Sequence, residues 1–244
     1  MTNVDRIKVA RQTLSRRAVG RMIRVAAALL VLAMSFSSAA WGSEDSTTVQ
    51  EDRSDISQLL YRWGFYRDHG MWDELLSTFH PGGEIQLTWY VGDFPGFVEG
   101  SKKMAEGGAV SSHIMKPPIV DVVGDRAIAI TPASINARAN PGIELDIVSD
   151  AYFFDFLERR SGEWKISRRI CVYQKDRMDG LYPSVRFWFM SWFIDTDKFD
   201  PAYRFLGAAL EQQGFPVQPG QIVDNTEESR ALYTEGQEWL RSAN

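Results

Sequence analysis

Two side chains of this sequence could together remove a proton from carbon. They are Asp68, in the last turn of a predicted helix, and His113, at the start of a predicted strand. A carboxylate that accepts a hydrogen bond from one imidazole nitrogen fixes the tautomer of the ring and leaves the other nitrogen to accept a proton. An apolar sheet around the pair would keep water out. The two residues therefore predict general-base chemistry, with His113 as the base and Asp68 as its orienting partner.

Each member of the pair also has a structural interpretation. The helix dipole disfavours a negative charge at the position of Asp68, and such exceptions to local rules are frequent at functional sites. Asp68 could instead cap the following helix or face solvent. A lone histidine such as His113 is more often a structural group than a base. Contact between the two residues, facing a cavity, would distinguish the catalytic interpretation from the structural one.

The other histidines and the cysteine are weaker candidates. His69 points away from Asp68 if its helix continues, and His80 precedes Pro-Gly-Gly, which predicts the end of a helix. Cys171 lies in a strand pattern and is predicted to be a small buried hydrophobic residue, and a single cysteine excludes an internal disulfide. No ligand spacing typical of a metal site and no glycine-rich phosphate loop occurs in the sequence, so we expect no cofactor.

The elements that must position the pair are helices followed by a meandering sheet. Spacing of three and four predicts a helix that ends at Gly70 and a second helix from Trp72 to Phe79. From Glu84 the period changes to two, which predicts a strand, and a short helix is predicted over Phe97–Glu106. Helices that precede an antiparallel sheet indicate an α+β fold with the helices on one face. Further strands are predicted over Ser112–Val123, Arg126–Arg138, Leu145–Arg159 and Glu163–Tyr173.

Residues 1–42 predict a secretory signal peptide. Basic residues precede an apolar run from Val25 to Phe36, and small residues suited to cleavage follow. The run is too short to span a bilayer of ~30 Å, which takes about 20 helical residues. The Ser15-Arg16-Arg17 sequence also fits a twin-arginine signal. We therefore expect export to a bacterial periplasm, with no stable membrane anchor after cleavage.

The rest of the chain divides into three predicted segments. Residues 43–53 are polar and aperiodic, which predicts a linker, and the folded domain is predicted over residues 54–176. Residues 177–244 are predicted to form an extension with an aromatic run, Phe187–Ile194, and two helical stretches. We expect this extension to pack on the core or on a second subunit, one form of which is a lid over a pocket. Membrane contact by the aromatic run is the alternative.

The composition excludes nucleic acid as a partner. The chain has 244 residues, of which 27 are Lys or Arg and 32 are Asp or Glu. Removal of residues 1–42 takes away seven basic residues and one acidic residue, which leaves 20 and 31 and a net charge of −11. Such a surface repels phosphate backbones.

Several motifs together resemble the SnoaL-like branch of the nuclear-transport-factor-2-like superfamily, which includes scytalone dehydratase, bile-acid dehydratase and hexachlorocyclohexane dehydrochlorinase. The resemblance covers residues 54–176. It implies a cone-shaped α+β fold, with helices packed on a curved antiparallel sheet around an apolar cavity, and assembly as a dimer or trimer. The motifs are Tyr61, Asp68–Leu75, Phe79-His80-Pro81, His113, Gly124–Ala127 and Gly162–Ile166.

The resemblance also implies roles for individual residues. In the lyases of this superfamily, an aspartate at the position of Asp68 pairs with a histidine at the position of His113, which removes a proton while a leaving group departs. Scytalone dehydratase has a second histidine on the third strand, where this chain offers Asn136. We expect a more apolar pocket than in that enzyme. The substrate-binding candidates are Tyr61, Tyr66, Trp89, Tyr90, Asn136, Ser149 and Phe153.

These observations favour an exported, cofactor-independent lyase or isomerase of the dehydratase type that acts on a small apolar or polycyclic molecule. An alternative is a non-catalytic module that holds a hydrophobic ligand in the same cavity, because a fold does not fix a function. A third hypothesis is a periplasmic assembly component that keeps an uncleaved N-terminal anchor.

Overall fold

The computed structural model describes residues 47–139, 144–181, 185–191 and 195–242. The described residues from Asp52 onward belong to one compact unit. The predicted signal peptide lies outside the described residues. The described helices are α1 (residues 47–68), α2 (Trp72–Ser77), α3 (Phe94–Glu106), α4 (Val185–Ser191), α5 (Arg204–Gln212) and α6 (Glu227–Arg241). The described strands are β1 (Phe79–Leu87), β2 (Tyr90–Asp93), β3 (Val110–Met115), β4 (Ile119–Val123), β5 (Arg126–Ala139), β6 (Leu145–Arg160), β7 (Glu163–Gly180) and β8 (Ile222–Val223).

The strands form one sheet in the order β2-β1-β7-β6-β5-β3, with β4 paired to β5 and β8 paired to β7. Neighbours are antiparallel except for the β1–β7 and β7–β8 pairs. The three long strands β5, β6 and β7 form its centre. The register between β6 and β7 shifts at Asp150/Ala151 and at Phe156/Leu157 of β6. Such bulges bend a strand and increase its twist. The predicted α+β fold with a curved sheet is confirmed.

Two predicted strands are each divided in the structure. The strand predicted over Ser112–Val123 is interrupted at Pro117-Pro118, because proline has no N–H to donate to a strand ladder, and it becomes β3 and β4. The strand predicted from Glu84 starts earlier, at Phe79, and turns at Thr88-Trp89 into a hairpin of β1 and β2.

The second predicted helix is too long. It ends at Ser77, and Phe79 and His80 belong to β1. Phe79 stacks on Phe94 with ring centroids 3.6 Å apart, so its apolar character reflects packing in a strand rather than a further helical turn. The His80 ring donates from Nε2 to the carbonyl oxygen of Glu158 at 2.9 Å. His80 is thus a buried structural residue, and its predicted place at a helix end is wrong.

The first helix extends into the predicted linker, since residues 47–53 are helical. Asp52 explains part of this difference. Its buried carboxylate accepts hydrogen bonds from Arg159 at 2.7 Å and from the Trp164 indole at 2.8 Å. Such long-range partners give a polar segment a fixed conformation, and composition alone cannot show them.

Helices cover both faces of the sheet, which corrects the prediction of a single covered face. On the main face, α1, α3 and α5 contribute buried residues such as Trp63, Phe97 and Leu206. On the opposite face, Leu232 and Leu240 of α6 form a second cluster. Alternation along the strands supplies both cores, because neighbouring residues point to opposite faces. The sheet residues in the second cluster are Ile128, Phe154, Phe156, Ile170 and Val172.

The C-terminal extension is an integral part of this fold. Strand β7 continues past the predicted domain end at residue 176 to Gly180, and α5 and α6 pack on the sheet as expected of an extension that returns to the core. Part of the aromatic run forms α4, while residues 192–194 lie outside the described residues. Across the parts of the chain that the structure describes, no helix is both long and apolar enough to cross a membrane.

Candidate active site

The structure brings Asp68 and His113 into direct contact. Asp68 Oδ1 accepts a hydrogen bond from His113 Nδ1 at 2.6 Å, and Asp68 Oδ2 accepts one from the His113 backbone N–H, also at 2.6 Å. Both side chains are nearly buried, with 12% and 10% of their surface exposed. Because a carboxylate only accepts, Nδ1 carries the proton in this contact, and Nε2 remains as the acceptor of the ring.

Local sequence features allow this contact. Gly70 ends α1 in the left-handed conformation, with φ of +65°, so the chain turns just after Asp68. Gly64, one turn earlier, has no side chain to keep α1 away from β3, since a Cβ there would lie 2.9 Å from Met115 Cγ and 3.8 Å from His113 Cβ. Helix and strand therefore approach closely at the place where the carboxylate meets the imidazole.

The environment of Asp68 favours its charged form. Burial raises the pKa of this carboxyl group, but the hydrogen bond from the His113 ring, the His113 charge, the His113 backbone N–H and the charge of Arg67 together lower it below its ordinary value. These partners explain how a negative charge is tolerated at the end of α1. The carboxylate both orients the imidazole and anchors β3 to the helix.

His113 faces a cavity between the main face of the sheet and α5. The cavity holds a free volume of about 60 Å³, which is room for a few water molecules. Its walls are mostly apolar, and α5 closes it with Leu206, Ala209 and Leu210. The Trp63 ring packs against the His113 imidazole in an edge-to-face contact, with ring centroids 5.6 Å apart.

The polar groups of the cavity are few. Besides His113 they are Arg67, Thr88, Ser111, Arg138, Tyr173 and Gln213. The Tyr173 hydroxyl accepts a hydrogen bond from the Thr88 backbone N–H at 2.8 Å and lies 2.7 Å from the Thr88 hydroxyl. Burial is the main reason that the pKa of Tyr173 lies well above its ordinary value, so this phenol is protonated.

Of the predicted substrate-binding residues, Trp89 and Phe153 line the cavity. Trp89 lies in the turn between β1 and β2, and Phe153 lies on β6 against Trp63, with ring centroids 5.3 Å apart. The other five do not line it: Tyr61, Tyr66, Tyr90, Asn136 and Ser149.

The reasons for these five differences are local. Tyr90 lies beyond the hairpin turn, where its ring packs at 6.2 Å from Phe97. Asn136 precedes Ala137 and follows Ile135, which both line the cavity, so the alternation of β5 turns it to the opposite face. Ser149 is fully buried in β6. Tyr61 and Tyr66 belong to α1 but are not on the side of that helix from which Arg67 reaches the cavity, since neither is three, four or seven residues from Arg67.

Sequence reasoning missed Arg67, Thr88, Tyr173 and the α5 residues as members of the site. Arg67 carried a readable signal, because it continues the apolar stripe of Ile56, Leu60 and Trp63 with a charged residue. The α5 contribution had no such signal, since an amphipathic helix far along the chain can dock on several surfaces.

The weaker candidates lie outside the cavity. His69 is exposed, donates from Nδ1 to the Phe65 carbonyl oxygen at 2.8 Å and stacks on the Phe65 ring. Cys171 is buried as predicted, and burial raises its pKa to about 12, which suppresses the thiolate. Within the described ranges, no three His, Cys, Asp or Glu side chains come together as a metal site.

Comparison with protein families gives a match to the SnoaL-like domain over residues 48–170, half of the chain. The chain belongs to this family. The match covers α1, which carries Asp68, and β3, which carries His113, and it confirms the resemblance predicted over residues 54–176.

Relatives of the family occur in fungi. Pea pathogenicity protein 2 of Fusarium vanettenii is 28% identical over 206 residues, which cover 78% of this chain and 85% of the fungal protein. An uncharacterized protein of Emericella nidulans is 32% identical over 142 residues, 54% of this chain and 59% of that protein.

Solved structures with a similar fold include two that bear enzyme names. A candidate scytalone dehydratase from Novosphingobium aromaticivorans has a TM-score of 0.44 and 18% identity, covering 57% of this chain and 93% of the other. A type 2 hexachlorocyclohexane dehydrochlorinase has a TM-score of 0.46 and 18% identity, covering 56% and 94%.

Proposed function

We propose that this chain is an exported, cofactor-independent lyase or isomerase in which His113 removes a proton from a carbon of a small, mostly apolar substrate. The observation that carries the proposal is the 2.6 Å hydrogen bond between His113 Nδ1 and Asp68 Oδ1 at the wall of a mostly apolar cavity. A base held in one tautomer beside apolar walls suits the removal of a weakly acidic proton.

The proposed step moves one proton and one electron pair. His113 Nε2 accepts the proton, and the electrons of the C–H bond become the new double bond of the substrate. In a lyase the leaving group departs with its own electron pair. In an isomerase the imidazolium returns the proton to another carbon. Asp68 stays ionised and stabilises the imidazolium through the same hydrogen bond that orients the neutral ring.

A binding module is the second candidate, and the mostly apolar lining of the cavity favours it. Such a lining would hold a hydrophobic ligand whether or not the chain converts it. The contents of the purified protein distinguish the two functions.

The test compares ligands that co-purify with the wild-type chain and with the variant His113→Gln, identified by mass spectrometry after solvent extraction. An enzyme that lacks its base retains unconverted substrate, so the variant should carry a compound that the wild type does not hold and converts when it is added back. The matched control is His69→Gln, which changes a histidine outside the cavity and should behave like the wild type. The same ligand in both proteins, unchanged by either, would support the binding module instead.

A further inference from the structure

Arg67 is a buried cation that uses little of its hydrogen-bonding capacity within the described residues. It lines the cavity together with His113 and is 8% exposed. Among the residues that the structure describes, its guanidinium makes a hydrogen bond to one acceptor, Met104 Sδ, at 3.6 Å. A thioether is a weak acceptor, and a guanidinium has five N–H donors. Most of the hydrogen-bonding capacity of Arg67 is therefore left for something else in the cavity.

The neighbouring carboxylate does not fill this role. Each oxygen of Asp68 accepts a hydrogen bond from His113, and the hydrogen bond that Arg67 makes within the described residues goes to Met104. Asp68 thus compensates the charge of Arg67 without serving as its hydrogen-bond partner. Burial lowers the pKa of Arg67, and the charge of Asp68 raises it. The group remains a cation, since arginine is not deprotonated in proteins.

Another buried arginine shows what a structural role looks like in this protein. Arg169 is fully buried against the rings of Trp63 and Phe153 and donates from Nε and Nη2 to the two oxygens of Asp155 at 2.6 and 2.8 Å. Burying a cation without such a partner is costly. Arg67 has the charge of Asp68 nearby but, among the residues that the structure describes, no carboxylate that accepts its hydrogen bonds. This difference points to an acceptor for Arg67 that comes from outside the chain.

We propose that Arg67 binds a substrate oxygen that becomes anionic during the reaction, so that the substrate is a carbonyl compound whose acidic C–H lies next to the carbonyl group. This inference rests on the proposed function of His113. When His113 takes the proton, the electron pair of the C–H bond moves into a C=C bond and the carbonyl electrons move onto oxygen, which gives an enolate. The guanidinium donates hydrogen bonds to that oxygen.

The charges of the site fit this step. Before proton transfer, Arg67 and Asp68 carry opposite charges and the imidazole and the ketone are neutral. Afterwards the imidazolium lies beside Asp68 and the enolate beside Arg67, so that each new charge has an opposite charge next to it. A preorganised donor of this kind contributes most where water is excluded. The remaining wall, with Leu87, Ile135 and Phe153, suits a hydrocarbon body.

Binding of benzoate and benzamide tests the proposal without any turnover. Benzoate has a planar, anionic oxygen on an sp² carbon, as an enolate does, and benzamide has nearly the same shape without the charge. Calorimetric titration of the full chain should show benzoate bound about ten-fold or more tightly than benzamide, as expected for a charge-assisted pair. Arg67→Met should remove this preference and leave benzamide affinity within about two-fold.

The control is Arg177→Met, which removes an exposed arginine paired with Asp179 and should keep the preference for benzoate. If Arg67→Met does not give a folded protein by thermal unfolding, Arg67→Gln replaces it with the same expectation. Equal affinity of the wild type for the two probes, no saturable binding of benzoate, or a preference that survives the loss of Arg67 would each overturn the proposal.

The variant His113→Gln separates this inference from the proposed function. It lacks the base but keeps Arg67, so it should bind benzoate like the wild type. Unchanged turnover in His113→Gln contradicts the proposed base and leaves the anion site intact. Loss of the benzoate preference in the wild type contradicts the anion site and leaves the base intact.

Discussion

At the residue scale, the proposed function depends on one carboxylate that accepts two hydrogen bonds. Asp68 orients the His113 ring through Oδ1 and fastens the β3 backbone through Oδ2. The same side chain therefore serves both the proposed chemistry and the fold. Any change at Asp68 should alter stability as well as activity, and the two effects can be separated by their dependence on pH.

Asp68→Asn should lower stability at neutral pH by about 1.5–3 kcal/mol, the range for a lost hydrogen bond to a charged group. The pKa of Asp68 is lowered in the folded protein from an ordinary value of 3.8. A group with a depressed acid pKa stabilises the fold above its unfolded pKa, and this contribution is lost as pH falls through the folded pKa. The difference between wild type and variant should therefore shrink below about pH 4.

Urea unfolding at pH 7, 5 and 3 measures this difference. Asp125→Asn is the control, because the Asp125 side chain is 73% exposed and its pair with Arg159 is worth little. A difference between wild type and Asp68→Asn that stays constant from pH 7 to pH 3 would show that Asp68 is not stabilised as a carboxylate.

The sequence predicted the Asp68–His113 pair and two residues of the cavity wall, Trp89 and Phe153, but not the rest of the cavity. Residue types and a family resemblance were enough to predict the pair, because few side chains can act as a base or as the carboxylate that orients it. Arg67 was visible as a charge on an apolar stripe, but only its buried position and its few partners distinguish it from a surface arginine. Asn136 was predicted to line the cavity, but it lies on the other face of β5. A shift of one residue along a strand moves a side chain from one face of the sheet to the other.

At the element scale, α5 forms one wall of the cavity at His113. Its first turn is held by Asp176 of β7, whose Oδ2 accepts hydrogen bonds from the backbone N–H groups of Phe205 and Leu206 at 2.7 and 2.9 Å. The residue at its N-cap, Tyr203, makes no side-chain cap. A strand residue thus caps a helix that comes about 30 residues later in the chain, a connection that no local sequence pattern announces.

Asp176→Ala should loosen α5 and open the cavity. Loss of a helix cap costs about 1 kcal/mol, so amide hydrogen exchange over residues 204–212 should become about five-fold faster. Exchange mass spectrometry of wild type and variant measures this change. Asp179→Asn, which alters an exposed carboxylate paired with Arg177 on the same strand, serves as the control.

The opposite result would be equally informative. If Asp176→Ala left exchange in residues 204–212 unchanged while the control behaved as expected, the cap would not hold α5, and packing of Leu206 and Leu210 alone would keep the cavity closed. Entry of a ligand into the cavity would then depend on the strands that form its opposite wall.

The elements themselves were largely predictable, and the differences have physical causes. Gly70 predicted the end of α1 correctly, because it adopts the left-handed conformation there. The alternation of apolar and polar residues predicted the strands β5 and β6. The split between β3 and β4 follows from two prolines whose effect the prediction ignored. The position of α6 on the opposite face was not predictable from local pattern, because its apolar stripe would fit either face.

At the scale of the whole molecule, we propose an exported homo-oligomer, a dimer or trimer. Three large apolar side chains on β3 and β4 support an interface there: Val110, Ile114 and Ile119 are 65%, 56% and 64% exposed. A cluster of this kind is a common feature of association surfaces. Strand β3 also ends the hydrogen-bonded order of the sheet.

The substitution Ile114→Lys should reduce the molar mass measured by light scattering after size exclusion to that of a single chain, since a charge in an apolar interface is not compensated. Val91→Lys changes an exposed apolar residue on β2, at the other end of the strand order, and should leave the mass unchanged. A monomeric wild type, or an oligomer unaffected by Ile114→Lys, would contradict this interface.

The export proposal concerns the same scale. Peptide sequencing of the chain recovered from the periplasm of a bacterial host should find a mature start near Trp41 or Ser43. An intact N-terminus at Met1 on membrane-bound protein would instead support an anchored assembly component.

The central claim is that His113 takes a proton from carbon, and hydrogen exchange at carbon tests it most directly. The wild-type chain is incubated in D₂O with a panel of small cyclic and aryl ketones, and deuterium at the carbon next to the carbonyl is followed by mass spectrometry. If His113 is the base, the wild type and His69→Gln should exchange at least one ketone, and His113→Gln should exchange it about a hundred-fold or more slowly. Exchange at the wild-type rate in His113→Gln would show that His113 is not the base.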